Sequence, residues 1–435
     1  GEGADLPTDV SQVTYDAGHS YNDFEPGDHY LQLTKTEKDM IDLVCKNFDK
    51  VVVVYNGANA MELGWVKDYS QIKSVVWCAG TGQSGFNALG SILCGDVNPS
   101  GRTIDTFVYD LTQTPTANNF GNFTYTNMDE FKASSFGTET IPAFVDYVEG
   151  IYVGYKFYET AAAEGLIDYD KTVVYPFGRG LSYTTFTQTL NSVTEADGTI
   201  TVDVTVTNTG SASGKEVVEV YYNPPYYDTY GKGCYVLEKG DYVISINADS
   251  HTVLDSKVYN VASDIVYDAS NKRESDVEVA DNKFDFAEGN VTYLSRANGF
   301  ANYAEATAAP ADFELPAEAK ATFYNNYNWN PEDFNNADDV APTTGAKNGL
   351  KLKDMVGVDY NDAQWDTFLD QLTVSDMDKL IALGGYQSVA VDSIGKVQAI
   401  DCDGPASINN NRCDDRSYLE HRSGTRLRHL HRQDG

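Results

Sequence analysis

Val51-Val52-Val53-Val54-Tyr55 and Ser74-Val75-Val76-Trp77-Cys78 are two short, β-branched apolar runs. Runs apolar on both faces read as buried parallel strands. Working outward, Thr34-Lys35-Thr36-Glu37 has the pattern of a capping box. Such a box opens a helix by pairing side chains with orphan backbone donors. Met40, Ile41, Val44 and Cys45 follow at helical spacing. Val66 to Ile72 reads as a short helix and loop, and Phe86 to Leu93 as a further helix. Strands alternating with helices predict an α/β sandwich with a mainly parallel sheet.

The 435 residues allow two or three domains. A net charge of −34 argues against nucleic acid and against an anionic membrane surface. It is read as a solubilising surface charge. Thirty tyrosines suit half-buried strands, and some would suit stacking on a sugar ring. Cys45, Cys78, Cys94, Cys234, Cys402 and Cys413 form no CxxC pair, so neither a disulfide framework nor a zinc site is suggested. The first three sit in or beside apolar runs and are expected to be buried thiols. No apolar run reaches membrane-span length. The cellular address stays open, with the cytoplasm slightly favoured over secretion.

Gly80-Thr81-Gly82-Gln83-Ser84-Gly85 matches GxGxxG, with Asp105 twenty residues on. A dinucleotide-binding oxidoreductase is therefore one alternative. The turn residues Gly95-Asp96-Val97-Asn98-Pro99-Ser100-Gly101 occupy the place of that unit's next strand. The glycines are better read as a tight helix start.

Three separated motifs carry a resemblance. They are Gly95-Asp96-Val97-Asn98-Pro99-Ser100-Gly101-Arg102-Thr103, then Tyr147-Val148-Glu149-Gly150-Ile151-Tyr152-Val153-Gly154-Tyr155, then Tyr175-Pro176-Phe177-Gly178-Arg179-Gly180-Leu181-Ser182-Tyr183. In this order they resemble the C-terminal α/β sandwich domain of glycoside hydrolase family 3, here residues 1–190. In that family the sandwich begins near a Gly-Glu-Gly-x-Asp segment, matched by Gly1-Glu2-Gly3-Ala4-Asp5. The resemblance implies that Glu2 is the general acid/base of a retaining β-glycosidase. Glu62 and Glu149 are read as hydrogen-bonding or surface carboxylates ahead of site residues.

Residues 191–263 alternate β-branched with polar residues. Ile200, Val202, Val204 and Val206 are expected on one face, with a turn at Asn208-Thr209-Gly210 and strands over Val217–Tyr222 and Tyr242–Ile246. This resembles the family's fibronectin type III-like β-sandwich. It is shorter than the ~100 residues such a sandwich takes, so middle strands are expected to be missing near Tyr226–Gly233. Unpaired edges and a thin core would follow.

Residues 264–345 show little periodicity and read as a connector wrapping a surface, with Tyr293-Leu294-Ser295-Arg296 as a docking point. Order returns over 346–411. Trp365, Phe368, Leu369 and Leu372 recur at helical spacing, and Thr373 to Asp376 can cap the next helix. Val397 to Ile400 reads as a strand ending in Asp401-Cys402-Asp403-Gly404-Pro405. This stretch resembles the start of the family's (β/α)8 barrel. The order of parts is reversed, as in some bacterial β-glucosidases. The resemblance implies that Asp403 binds the sugar to be cleaved.

Residues 412–435 change composition, with Arg422, Arg426, Arg428 and Arg432 among His421, His429 and His431. A basic nucleic-acid tail is one reading. The favoured one is a slip of reading frame, since one permitted choice of codons read one nucleotide later gives Ala-Thr-Trp-Asn, a piece of the same barrel. On the resemblance the substrate is a small β-glucoside or oligosaccharide, no cofactor or metal takes part, and nucleic acid and membrane are not partners. The family's nucleophile, a barrel aspartate, has no counterpart in this chain, so no turnover is expected from it alone. A non-catalytic carbohydrate-binding or scaffold module is the main alternative. The sequence leaves the oligomeric state open.

Overall fold

The computed structural model describes residues 29, 31–57, 59–79, 81, 85–119, 123–135, 138–196, 199–225, 234–273, 276–279, 291–324, 328, 330–340, 342–385 and 387–400. Two compact units are present: residues 1–80 with 87–329, and residues 330–435 with 81–86.

In the first unit, helix α1 (Lys35–Asn47) is opened by the expected capping box. The Thr34 side chain accepts from the Glu37 N–H, and the Glu37 side chain accepts from the Thr34 N–H. Strands β1 (Val51–Tyr55) and β2 (Ile72–Trp77) pair in parallel, with Val53 beside Val75 and Val54 beside Val76. The crossover between them carries the short 3₁₀ helix Gly64–Asp68. Leu63 and Val66 from this crossover pack with Phe107 and Val174 against Tyr55, Ile72, Val75 and Trp77. Val52 and Val54 point the other way and are 45% and 36% exposed. The valine run is thus half-buried on one face and exposed on the other, where burial on both was expected. Helix α2 (Phe86–Cys94) has the expected span.

Parallel pairing is confined to β1 and β2 among the described residues. β3 (Phe107–Val108) pairs antiparallel with β8 (Val173–Tyr175). β4 (Phe123–Thr124) pairs with β7 (Ala143–Phe144), and β5 (Ala133–Ser135) with β6 (Thr138–Thr140), both antiparallel. The architecture is a mixed α/β fold of small sheets. Its main core joins Val108 and Val173 to Tyr152, Phe157, Tyr158 and Ala161. The last three lie on helix α3 (Tyr155–Ala163). The short helix α4 (Tyr169–Thr172) leads into β8. Of the cysteines expected to be buried, Cys45 is, Cys78 is half-buried and Cys94 is exposed at the end of α2.

The β-rich part comprises the hairpin of β9 (Phe186–Ala196) and β10 (Thr199–Asn208), the sheet β11 (Glu219–Asn223), β13 (Gly240–Asn247) and β14 (Val253–Val261), and the pair β12 (Tyr235–Leu237) and β15 (Ile265–Tyr267). Val202 turns toward Tyr242, Ile244 and Val261, whereas Ile200 and Val206 are exposed. Val202 and Val204 are half-buried between the exposed Asp203 and Thr205, as the expected alternation has it, and the register shift opposite Asp203/Val204 leaves Asn191 of β9 as the unpaired residue. Asn208 makes the expected turn by accepting from the Gly210 N–H, 3.0 Å. The expected site of missing strands, 226–233, lies outside the described residues.

The connector does more than cross a surface. Leu294, Phe300 and Ala306 enter the main core, the last two from short helices α5 (Ala297–Phe300) and α6 (Tyr303–Ala306). The Leu294 N–H donates to Val148 O at 2.7 Å, so the expected docking point does dock. Further on, Phe313 packs on Phe123 and Phe144, and Lys320 of α7 (Ala317–Ala321) pairs with Glu130.

In the second unit, α8 (Gln364–Leu369) and α9 (Val374–Ala382) bury Phe368 and Leu372 with Met355, Val391 and Ile394. Thr373 and Asp376 form the expected capping box. β16 (Gln387–Ser388) and β17 (Ala399–Ile400) make a short antiparallel ladder.

Candidate functional site

The two residues to which the resemblance gives chemistry, Glu2 and Asp403, lie outside the described residues, as do Gly82 to Ser84 of the glycine motif and the basic tail. Glu62 and Glu149 are described. Glu62 takes a hydrogen-bonding role, as expected. It stands 2.9 Å from Nε2 of the fully buried His29 and accepts from the Leu111 N–H at 2.8 Å. His29 Nδ1 accepts from the Leu31 N–H, which fixes the ring proton on Nε2, facing the carboxylate. Glu149 is not a surface residue. It is 9% exposed, and its Oε2 is buried with no hydrogen-bond partner.

The structure brings together the three sequence motifs. Asn98 accepts through Oδ1 from Ser182 Oγ (3.0 Å) and the Tyr183 N–H (2.8 Å), and donates through Nδ2 to Ser213 O. Thr103 is bonded to the 176–179 turn four times: its N–H to Arg179 O, its hydroxyl to Pro176 O, and its carbonyl and hydroxyl from the N–H groups of Gly178 and Arg179. Tyr155 of the middle motif stacks on Phe177 of the last and meets Tyr221 edge-on. Residues that lie about eighty positions apart therefore form one junction, against which β11 packs.

Polar groups complete this junction. Arg102 reaches Glu216 at 3.1 Å, and Gln188 donates to the other oxygen of the same carboxylate. Glu219 accepts from the Tyr221 hydroxyl at 2.6 Å. Burial pushes the Glu219 carboxyl above the ordinary glutamate range, while the Tyr221 bond and Arg102 pull the other way. Gly178, at φ +83°, leaves room for that carboxylate; a Cβ there would land on it. Glu159 accepts from Tyr169 OH (2.7 Å), Ser250 Oγ (2.9 Å) and His251 Nδ1 (2.8 Å), while the Tyr169 and His251 rings stack at 3.7 Å. Sequence reading singled out neither Glu159 nor His29, because their partners lie 92 and 33 positions away.

This arrangement is a scaffold: Glu159, Glu216 and Glu219 are each engaged by hydroxyl, amide, His251 or Arg102 donors of the protein. No group of three His, Cys, Asp or Glu side chains among the described residues could hold a metal ion. No described helix is long and apolar enough to cross a membrane.

Residues 10–155 match the glycosyl hydrolase family 3 C-terminal domain. β-Glucosidase A of Butyrivibrio fibrisolvens is 37% identical over 217 residues, which are 46% of this chain and 23% of that protein. A β-glucosidase of Ruminococcus albus is 34% identical over 194 residues, 44% of this chain and 17% of its own length. The crystal structure of a β-glucosidase from Paenibacillus barengoltzii shares the fold at a TM-score of 0.50 and 24% identity, covering 82% of this chain and 39% of that one. The chain spans about a quarter or less of the length of these curated relatives. Over residues 10–155 the chain is therefore similar to the C-terminal domain of glycosyl hydrolase family 3.

Proposed function

We propose that the chain is part of a retaining β-glycosidase that releases terminal sugars from β-glucosides or small β-linked oligosaccharides. The observation that carries this reading is the match of residues 10–155 to the family domain, together with 37% identity to a β-glucosidase. Glu2 is the proposed acid/base. It would donate its proton to the leaving glycosidic oxygen while a second carboxylate attacks the anomeric carbon and the glycosidic bond breaks. As a carboxylate it would then take a proton from the water that displaces the enzyme from the sugar. Retention calls for the two carboxyl groups to stand roughly 5–5.5 Å apart. The second carboxylate is the nucleophile, for which this chain offers no matching residue. Asp403, which follows β17 in the sequence, is proposed to bind hydroxyls of the same sugar. The beginning of a (β/α)8 barrel in residues 346–411 and the domain limits at 190 and 263 belong to the same proposal.

No cofactor is needed, since two carboxyl groups supply both the proton and the covalent step. The test is an aryl β-glucoside assay on the 435-residue chain with calorimetry for glucose beside it. The reading expects no turnover from the chain alone. Turnover abolished by Glu2→Gln would place a complete site within this chain and remove the need for an outside nucleophile. Tight sugar binding unaffected by Glu2→Gln would favour a non-catalytic carbohydrate-binding module.

A further inference from the structure

Asn247 ends β13 with a side chain in the interior, and its Oδ1 is buried without a hydrogen-bond partner. An acceptor left in this state carries its full desolvation cost until a donor meets it. The register names the residue opposite. Asn247 pairs with Glu219 across the antiparallel β11–β13 ladder, so the two side chains stand on one face of that sheet. Tyr221, two residues on from Glu219, shares the face. This face is pressed on the 176–179 turn. Ser250, just past β13, donates its N–H to Phe177 O at 2.8 Å, and the Glu219 carboxyl lies over the bare Cα of Gly178. Glu219 Oε2 accepts from the Tyr221 hydroxyl at 2.6 Å, which leaves Oε1 for another partner. The charged groups around it do not call for a carboxylate. Arg102 faces it from the loop after α2, but its guanidinium is bonded to Glu216. Glu216, ahead of β11, and Asp249, in the turn after β13, add two negative charges. Arg179 stands 3.9 Å from Asp249. Tyr155 of α3 and Tyr221 complete the enclosure, both held neutral by burial.

We infer that Glu219 and Asn247 form a proton-operated latch between the β-rich part and the 176–179 turn. With its proton, Glu219 accepts from Tyr221 through Oε2 and donates from Oε1 to Asn247 Oδ1. Both buried acceptors are then satisfied, and β11 and β13 are held together on the turn. As pH rises the proton leaves to solvent. Asn247 Oδ1 then faces a carboxylate, two acceptors oppose each other, and the latch opens. Burial holds the Glu219 carboxyl above the ordinary glutamate range, which works in the same direction. The latch is therefore fully present below the unfolded value and is lost as pH rises through the folded one. The inference goes beyond the glycosidase reading and uses none of the roles given to Glu2 and Asp403, so the two can fail separately.

The test is infrared difference spectroscopy of the 435-residue chain through a pH titration, beside Glu219→Gln and Asn247→Leu. The parent should show the band of a protonated carboxylic acid that Glu219→Gln lacks. In Asn247→Leu the midpoint of that band should move to lower pH, because the acid form has lost its acceptor. Glutamine at 219 accepts from Tyr221 and donates to Asn247 as the protonated acid does, so Glu219→Gln keeps the latch closed at every pH. Amide exchange of residues 219–223 should therefore become about tenfold faster in the parent than in Glu219→Gln above the midpoint. Where Asn247→Leu does not keep the parent's near-ultraviolet circular dichroism, the comparison with Glu219→Gln decides alone. Three results overturn the inference. They are no such band at any pH at which the chain is folded, a midpoint that Asn247→Leu leaves in place or raises, and exchange that responds to pH alike in the parent and Glu219→Gln.

Discussion

The ring of Tyr155 lies on that of Phe177, with centroids 4.8 Å apart and planes inclined by 25°. This stack joins the middle sequence motif to the last and sits beside Tyr221 of β11. Aromatic pairs of this kind contribute about 0.5–1.5 kcal/mol beyond the area they bury. A double-mutant cycle of Tyr155→Leu and Phe177→Leu, read by urea unfolding, should show coupling of about 1 kcal/mol. Strict additivity would mean that the stack is incidental.

Asn98 uses both ends of its amide to tie together three stretches of chain. Asn98→Ala should destabilise the first unit by about 2–3 kcal/mol, since three partners lose their bond at once. Asn98→Asp should keep the two acceptor contacts and lose only the donation to Ser213 O. Its loss in denaturant midpoint is therefore expected to fall between those of the parent and the alanine variant.

Gly178 combines a positive φ with a neighbour in the way. Gly178→Ala is expected to cost about 2–3 kcal/mol, from left-handed strain plus displacement of the Glu219 carboxylate. Pairing it with Glu219→Ala should recover the displacement part alone. A calorimetric comparison of the single and double variants checks this.

Glu219 gives a pH dependence whose sign can be worked out. Burial holds its carboxyl above the ordinary glutamate value in the folded chain. The folded state therefore binds this proton more tightly than the unfolded state does. The associated stability is fully present below the unfolded value and is lost as pH rises through the folded one. Glu219→Gln keeps an acceptor for the Tyr221 hydroxyl and removes the ionisation. Urea midpoints between acid and neutral pH should show the variant gaining on the parent as pH rises, with the gap closing toward acid. A gap that widens toward acid would contradict the burial argument.

The sequence was most readable where one local signal decides the structure. Thr34 and Glu37, and again Thr373 and Asp376, are capping boxes whose partners lie three residues apart. β1 and β2 were legible as apolar runs, although the exposure of Val52 and Val54 was not, because a run of valines looks the same with one face bare. The alternation of β10 held at Val202 and Val204 but not in burial at Ile200 and Val206, which lie beyond the stretch packed on the next sheet, and the extra residue at Asn191 of β9 leaves no mark in composition. Leu294, Phe300 and Ala306 are core residues in a segment without periodicity, and irregularly spaced anchors give no pattern to read. The three motifs could be recognised one by one. Their convergence on Asn98, Thr103 and Tyr155 is a long-range property that only the fold supplies. The proposed chemical residues stand apart from all this, since Glu2 and Asp403 fall outside the described residues and rest on motif position alone.

The central claim is that this chain supplies the acid/base of a family 3 glycosidase. The most direct measurement exchanges residues 1–190 for the aligned region of Butyrivibrio fibrisolvens β-glucosidase A. Aryl β-glucoside turnover is then followed with Glu2 in place and with Glu2→Gln. The account predicts turnover by the first chimera and a loss of about 10²–10⁴-fold in the second for substrates with poor leaving groups. Equal turnover by both chimeras would contradict it.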